Sequence, residues 1–209
     1  MRRVLLTILS IAAIGVLGFA TSAVLADDGG DGGDGNVVCT NTTTTPTTTT
    51  GEDNGGQSSG DLAIAHKADD GGGDNGSSGN DNMNGTSGDD HFDGNQGDDN
   101  ECGDMGDDNL QGGAGNDQLS GGPGNDVLNG QSGNDHEFGD QGNDDENGGT
   151  GADTLNGGSG DDVLNGGAGN DHINSRDGQR DVVNCGAGND WVKADHKDKV
   201  AGNCEHVSR

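Results

Sequence analysis

The stretch that decides the fold is Gly112-Gly113-Ala114-Gly115-Asn116-Asp117-Gln118-Leu119-Ser120. It is followed at once by Gly121-Gly122-Pro123-Gly124-Asn125-Asp126-Val127-Leu128-Asn129. Both nonapeptides carry glycine at positions one, two and four, Asn-Asp at five and six, and leucine at eight. Glycines at one and four suit a tight turn, because glycine enters positive φ without a steric cost. The last three residues read polar-apolar-polar, which turns Leu119 and Leu128 inward on short strands. Two units then make one flattened coil, with a turn at each edge and position eight filling a thin core. Coils stack in parallel, and the turns of units i and i+2 become neighbours.

Outward from this pair, the nine-residue register holds without insertion from Gly76 to Asn174, giving eleven units. Position four is glycine in every unit. Position six is aspartate in every unit: Asp81, Asp90, Asp99, Asp108, Asp117, Asp126, Asp135, Asp144, Asp153, Asp162 and Asp171. Position five is Asn or Asp except at Ala152. Position eight is apolar at Met83, Phe92, Leu110, Leu119, Leu128, Leu155, Leu164 and Ile173, and is Glu101, Glu137 and Glu146 elsewhere. Glu137 and Glu146 lie in consecutive units and would face each other across the core. Burying both is costly unless they protonate, which predicts a weak or frayed middle. A local slip that turns Phe138 inward in place of Glu137 is one way out.

Composition sets the wider frame. The 209 residues include 45 glycines, and 38 acidic side chains against 9 Lys and Arg give a formal charge of −29. Beyond residue 26, Leu, Ile, Val and Phe make up roughly 10 % of the chain, in the range of disordered sequences. That excludes a conventional single-core domain, and the charge excludes nucleic acid as a direct partner. Met1-Arg2-Arg3, the apolar run Val4–Leu17 and the small residues up to Ala26 predict a cleaved secretory signal over 1–26. No second apolar stretch follows, so no membrane span is expected after cleavage, and the mature protein is expected outside the cytoplasm. Residues 27–75, Asp/Gly-rich and then Thr-rich, predict a disordered linker. Within it, Leu62–Ala65 is either a first covering strand or simply linker.

After Asn174 the period loosens. Asp181-x-Val183, Asp190-x-Val192, Asp198-x-Val200 and Glu205-x-Val207 keep an acidic-x-apolar rhythm. Residues 175–209 are therefore expected to cap the array, as repeat proteins require, and to offer one or two turn pairs beyond the nine at most that eleven units allow. Cys185 and Cys204 bracket this stretch and are expected to form a disulfide, which in an oxidising compartment adds about 3 kcal/mol through the unfolded state. Whether Cys39 pairs with Cys102 is left open.

Stacking brings the position-six carboxylates of neighbouring coils together, and like charges repel. The core cannot compensate. A buried Leu contributes about 1.5–3 kcal/mol, whereas ordering nine backbone residues costs on the order of 9–18 kcal/mol. A hard divalent cation converts the repulsion into stability. Calcium fits because it takes six to eight oxygens, backbone carbonyls among them, while magnesium demands stricter geometry and keeps its water.

The units 112–120, 121–129, 148–156, 157–165 and 166–174 resemble the hemolysin-type RTX nonapeptide, G-G-x-G-x-D-x-U-x. The resemblance implies an all-β parallel β-roll solenoid with several calcium ions between stacked turns. Its ligands would be the eleven position-six aspartates with backbone carbonyls, and position five would supply secondary oxygens. Position two is glycine in only five units, which matters little if its carbonyl is the ligand. Many members of the family leave the cell by a C-terminal signal, and the N-terminal signal here favours general secretion instead.

Catalytic and other binding patterns fail. His136-Glu137 lacks the second His of HExxH, Gly157–Asp161 has Asp where G-x-S-x-G ends in Gly, and the EF-hand approached at Asn143 has Thr154 at position twelve. Trp191, Phe92 and Phe138 are too scattered for a stacking platform, and no threonine array suggests ice binding. The function expected is therefore a secreted calcium-binding protein that folds as it binds, and not an enzyme. The alternative is a calcium-rigidified structural or adhesive element of the cell envelope. Any cell-surface or protein partner is left open.

Overall fold

A computed structural model of the protein describes residues 63–65 and 74–209. The signal segment, most of the linker and Cys39 lie outside the described residues. Seventeen short strands follow one another among the described residues. They are β1 (Ala63–Ala65), β2 (Asp74–Asn75), β3 (Asn82–Asn84), β4 (His91–Asp93), β5 (Asn100–Cys102), β6 (Asn109–Ala114), β7 (Gln118–Pro123), β8 (Val127–Ser132) and β9 (His136–Gln141), then β10 (Asp145–Thr150), β11 (Thr154–Asn156), β12 (Val163–Gly169), β13 (His172–Asn174), β14 (Val182–Gly188), β15 (Trp191–Lys193), β16 (Lys199–Val200) and β17 (His206–Ser208). No helix among the described residues is long and apolar enough to cross a membrane.

Consecutive strands alternate between two sheets. Odd strands form one nine-stranded sheet and even strands an eight-stranded one, in sequence order and parallel throughout. Each strand pairs with the one two units away, as in Glu101↔Leu119 and Leu110↔Leu128. This is the parallel β-roll that the period requires: one nonapeptide per half-coil, two per coil. Ala63–Ala65 proves to be a covering strand, with Ile64 in register with Met83.

Position eight fills the space between the sheets. Met83, Phe92, Leu110, Leu119 and Leu128 form one fully buried cluster. Leu155, Leu164, Ile173, Val183, Cys185, Val192 and Ala194 form another. Between the two clusters lie Glu137 and Glu146, both completely buried. The middle does not fray. Strands β9 and β10 are six residues long, and the register runs through them as Leu119↔Glu137↔Leu155 and Leu128↔Glu146↔Leu164. Phe138 stays at position nine, opposite Ser120 and Asn156, and does not replace Glu137. The physical reason is local. Gly130 N donates to Glu137 Oε1 at 2.6 Å and Gly139 N donates to Glu146 Oε1 at 2.9 Å, so each carboxyl satisfies a turn amide.

Two positions explain the glycine content. From Gly94 to Asn174 position two is left-handed in every unit, whether glycine, as at Gly113 (φ 102°), or not, as at Asn95 (φ 69°), Asp104 (φ 74°), Gln131 (φ 67°) and Asp140 (φ 71°). Three of these four exceptions are Asn or Asp, the residues that enter this region at least cost. From Gly97 onward position four of the repeats is closed to any side chain, because its Cα lies against the carbonyl group of position four one coil earlier. A Cβ at Gly133 would fall on Gly115 O, and one at Gly151 on Gly133 O.

Polar ladders run along the stack. Position-nine asparagines bond amide to carbonyl in the series Asn147→Asn129, Asn165→Asn147 and Asn184→Asn165, and Asn203, beyond position nine of its own coil, continues it to Asn184, at 2.8–3.0 Å. Such ladders need identical residues every coil, not every nonapeptide.

The segment 175–209 is built from further coils. Strands β14 to β17 extend both sheets, and Val183 and Val192 continue the core. Cys185 and Cys204 are disulfide-bonded with a Cα separation of 5.2 Å, as expected. Cys102 is also disulfide-bonded.

Candidate metal centre

Each position-six aspartate is set at the end of a turn, just before an inward-facing strand residue. The roll sorts them into two rows. Asp81, Asp99, Asp117, Asp135, Asp153 and Asp171 precede strands of one sheet, and Asp90, Asp108, Asp126, Asp144 and Asp162 precede strands of the other. Within a row each backbone amide donates to the carboxylate one coil ahead. Asp99 N reaches Asp117 Oδ1 at 2.8 Å, Asp117 N reaches Asp135 Oδ1 at 2.9 Å, and Asp108 N reaches Asp126 Oδ1 at 2.8 Å. One carboxylate oxygen thus serves the stack.

The other oxygen has no partner. Oδ2 of Asp99, Asp108, Asp117, Asp126, Asp135, Asp144, Asp153, Asp162 and Asp171 is buried without a hydrogen bond. Buried polar atoms are nearly always satisfied, so a repeating orphan marks a position built for something else. These oxygens point at the position-one glycines: a Cβ at Gly112, Gly130 or Gly148 would collide with Oδ2 of Asp117, Asp135 or Asp153. Glycine at position one therefore keeps open the space that the free oxygen uses.

The first two turns differ. Ser77 N donates to Asp81 Oδ2 at 2.5 Å and Thr86 N to Asp90 Oδ2 at 2.7 Å, so both carboxylates close on their own turn. Asp81 and Asp90 lie in the rows without the free oxygen that defines the other nine.

Electrostatics agree with the geometry. Burial, opposed in part by the amide bond from the previous coil, pushes Asp99, Asp108, Asp135 and Asp144 up to about 7 and Asp117, Asp126 and Asp171 to about 6. Neighbouring aspartates of the same row add to the rise, as Asp117 and Asp81 do at Asp99. Asp153 and Asp162 are also raised by burial. Burial and like charge both favour the protonated form here, and a bound cation favours the ionised one.

Position five also takes part in the stack. Its side-chain oxygen accepts the amide of the next coil, as in Asn116 N→Asp98 Oδ1 at 2.8 Å and Asn134 N→Asn116 Oδ1 at 2.9 Å. These residues form a second ladder outside the aspartate row. Ala152 takes part as donor only, to Asn134 Oδ1 at 2.8 Å.

The donor set suits calcium. It is all oxygen, carries formal charge, and offers one free carboxylate oxygen per turn beside exposed turn backbone. Among the described residues no three His, Cys, Asp or Glu side chains converge on one point. An ion here would draw side-chain oxygens from two stacked turns and the remainder from carbonyls or water.

The cap adds two members to the rows that sequence reasoning did not name. Asp162 N donates to Asp181 Oδ1 and Asp171 N to Asp190 Oδ1, both at 2.9 Å, and Oδ2 of each acceptor is buried and unpaired. Their signal was the acidic-x-apolar rhythm after Asn174, read there as capping. Row two ends at Asp198, whose Oδ2 accepts Ser175 Oγ at 2.9 Å and Asp195 N at 2.7 Å.

Stacked turns with free carboxylate oxygens on a parallel roll define a class of protein suited to binding hard cations. The comparison with families makes this specific. The RTX calcium-binding nonapeptide repeat matches four times, over residues 75–100, 103–137, 138–173 and 147–182, which together cover just over half of the chain. The protein belongs to this family, and calcium binding follows from the repeats and the roll. No curated protein matches the chain.

Proposed function

We propose that this is a secreted, non-catalytic protein that binds several calcium ions and folds as it binds them. The observation that carries the reading is the repeating buried Oδ2 without a partner, which appears in nine of the eleven position-six aspartates. Asp99, Asp108, Asp117, Asp126, Asp135, Asp144, Asp153, Asp162 and Asp171 supply the charged oxygens, and Asp81 and Asp90 join if their turn amides release them. Calcium supplies the positive charge that lets these carboxylates be both buried and ionised. The binding free energy is then folding free energy, since the unfolded chain has no preformed site. Export in an unfolded state, with ordering in calcium-rich surroundings, follows from the signal-like residues 1–26 and the core-poor composition.

Far-ultraviolet circular dichroism with chelator and with millimolar calcium tests the reading. The expected outcome is a coil-like spectrum that gains strong β signal on adding calcium. Two superimposable spectra would end the proposal. Cell fractionation tests the location, with the protein expected in the medium.

A further inference from the structure

We infer that the calcium rows extend beyond the recognised repeats to a terminal site at Asp190, in the turn held by the Cys185–Cys204 disulfide. The inference rests on the calcium reading above and adds a residue to it. Residues 185–193, Cys185-Gly186-Ala187-Gly188-Asn189-Asp190-Trp191-Val192-Lys193, are a nonapeptide with cysteine in place of the first glycine. They lie outside every span matched by the family. The backbone nevertheless repeats the pattern of the array. Gly186 is left-handed (φ 96°) like position two elsewhere, and a Cβ at Gly188 would fall on Gly169 O. Gly167↔Gly186 and Ile173↔Val192 keep register with the last recognised unit. Cys185 O lies beside Gly166 as Gly112 O lies beside Gly94.

The chemistry repeats too. Asp190 is fully buried, its Oδ1 accepts Asp171 N at 2.9 Å, and its Oδ2 has no partner. The turns of Asp171 and Asp190 thus offer the same two free oxygens as the turns of Asp117 and Asp135. What differs is the support. Among the described residues the stretch stacked on this turn is shorter than a nonapeptide: β17 pairs with β15, Glu205 Oε2 accepts Asp190 N at 3.1 Å, and the disulfide ties position one of this coil to Cys204. The cystine therefore fastens this turn to the short coil that stacks on it. Asp190 is the metal ligand, and Cys185, Cys204 and Glu205 are positioning residues.

The chain carries its own probe. It has one Trp and no Tyr, and that Trp191 is the residue next to Asp190, exposed and stacked on His206 with ring centroids 4.1 Å apart. Terbium substitutes for calcium, and excitation through tryptophan sensitises only an ion close to it. The experiment is terbium luminescence excited through Trp191 on the full oxidised chain, with the count of bound calcium by native mass spectrometry.

For the unsubstituted protein, sensitised emission that calcium displaces is expected. Asp190→Asn should lose most of that emission and one calcium per chain, with its circular dichroism in calcium retained. Asp145→Asn, at an exposed carboxylate on the outer face of β10, should lose neither. Cys185→Ser with Cys204→Ser should shift the terbium titration to higher concentration while the remaining ions stay bound. Full emission and an unchanged count in Asp190→Asn would overturn the inference and leave the calcium reading intact. A chain that binds no calcium at all would overturn both.

Discussion

Carboxylates are buried in two regions of this molecule, the turn edges and the strand core, and the two are opposites. At the edges each position-six aspartate from Asp99 to Asp171 has an identical neighbour one coil away, gives one oxygen to that neighbour's amide and keeps the other free. In the core, Glu137 and Glu146 sit between leucine layers, each with one oxygen on a turn amide. Glu101, between Met83 and Leu119, lacks so close a bond and has only the Gly94 amide beside it. The edge is arranged to meet a cation. The core can only hold a proton, and burial raises Glu101 and Glu137 to about 8 and Glu146 well above its ordinary value. The difference teaches that position in the repeat, not residue type, decides what a buried acid does.

The largest test of this contrast is pH, which acts on every buried carboxylate at once. For these acids the folded-state pKa lies above the unfolded one, so the folded chain binds more protons between the two values and loses stability as pH rises through them. In chelator, the roll should therefore weaken steadily from the ordinary carboxylate value of 3.8 up to about 7, and the core glutamates carry the loss on to about 8. In calcium the edge reverses sign, because protons compete with the ion and acid releases it. In calcium, urea midpoints should rise with pH across this range; in chelator, β signal in circular dichroism should be confined to the acid end and fade as pH rises. The same pH trend in both would show that the edges do not hold the ion.

Breaking one edge sterically comes next. Gly133→Ala places a methyl on Gly115 O at a backbone φ of 145°, at a cost of at least about 3 kcal/mol. Its calcium midpoint for folding should rise sharply, and a midpoint equal to that of the parent would refute the close stacking. Relieving the core has the contrary effect. Glu137→Leu with Glu146→Leu should stabilise the calcium-loaded roll by about 1–4 kcal/mol, as for other buried charged groups replaced by apolar ones, and should flatten the upper end of the pH curve. Chemical denaturation at pH 6 and pH 9 reads both effects. The smallest change is Asn147→Ala, which removes the bonds to Asn129 and Asn165 and should cost about 1–2 kcal/mol without altering calcium stoichiometry.

Much of this was written openly in the sequence. The period, the inward position eight, the turn glycines and the rows of aspartate all follow from nine-residue register, and they lead directly to the parallel roll. What escaped did so for identifiable reasons. The Asn129–Asn147–Asn165 ladder repeats every eighteen residues, so a nine-residue comparison hides it among Ser120, Phe138 and Asn156. The coils after Asn174 escaped because Ser175 and Cys185 stand where glycine opens a unit, and because Ser175–Asn184 holds one residue more than nine. The extra length is taken up around Gly178, itself left-handed (φ 86°), and the register across it becomes Leu164↔Val183. The order at Glu137 was not legible either, since nothing in composition reveals that a turn amide waits for its carboxyl. The inequality of Asp81 and Asp90 depends on Ser77 and Thr86 not adopting the left-handed position-two conformation, which only the folded backbone reveals.

The bond from each aspartate amide to the next carboxylate runs only within a row, with no such bond crossing from one edge to the other. The molecule is therefore two parallel registers of sites on a shared core. An ion that fixes Asp117 also fixes the acceptor for Asp99 and prepares the turn of Asp135. Information travels along an edge by nearest neighbours and passes between edges only through the strands, as expected for a one-dimensional cooperative array. On the proposed function, calcium would be read serially, and the number of coils in line would set the steepness of the response.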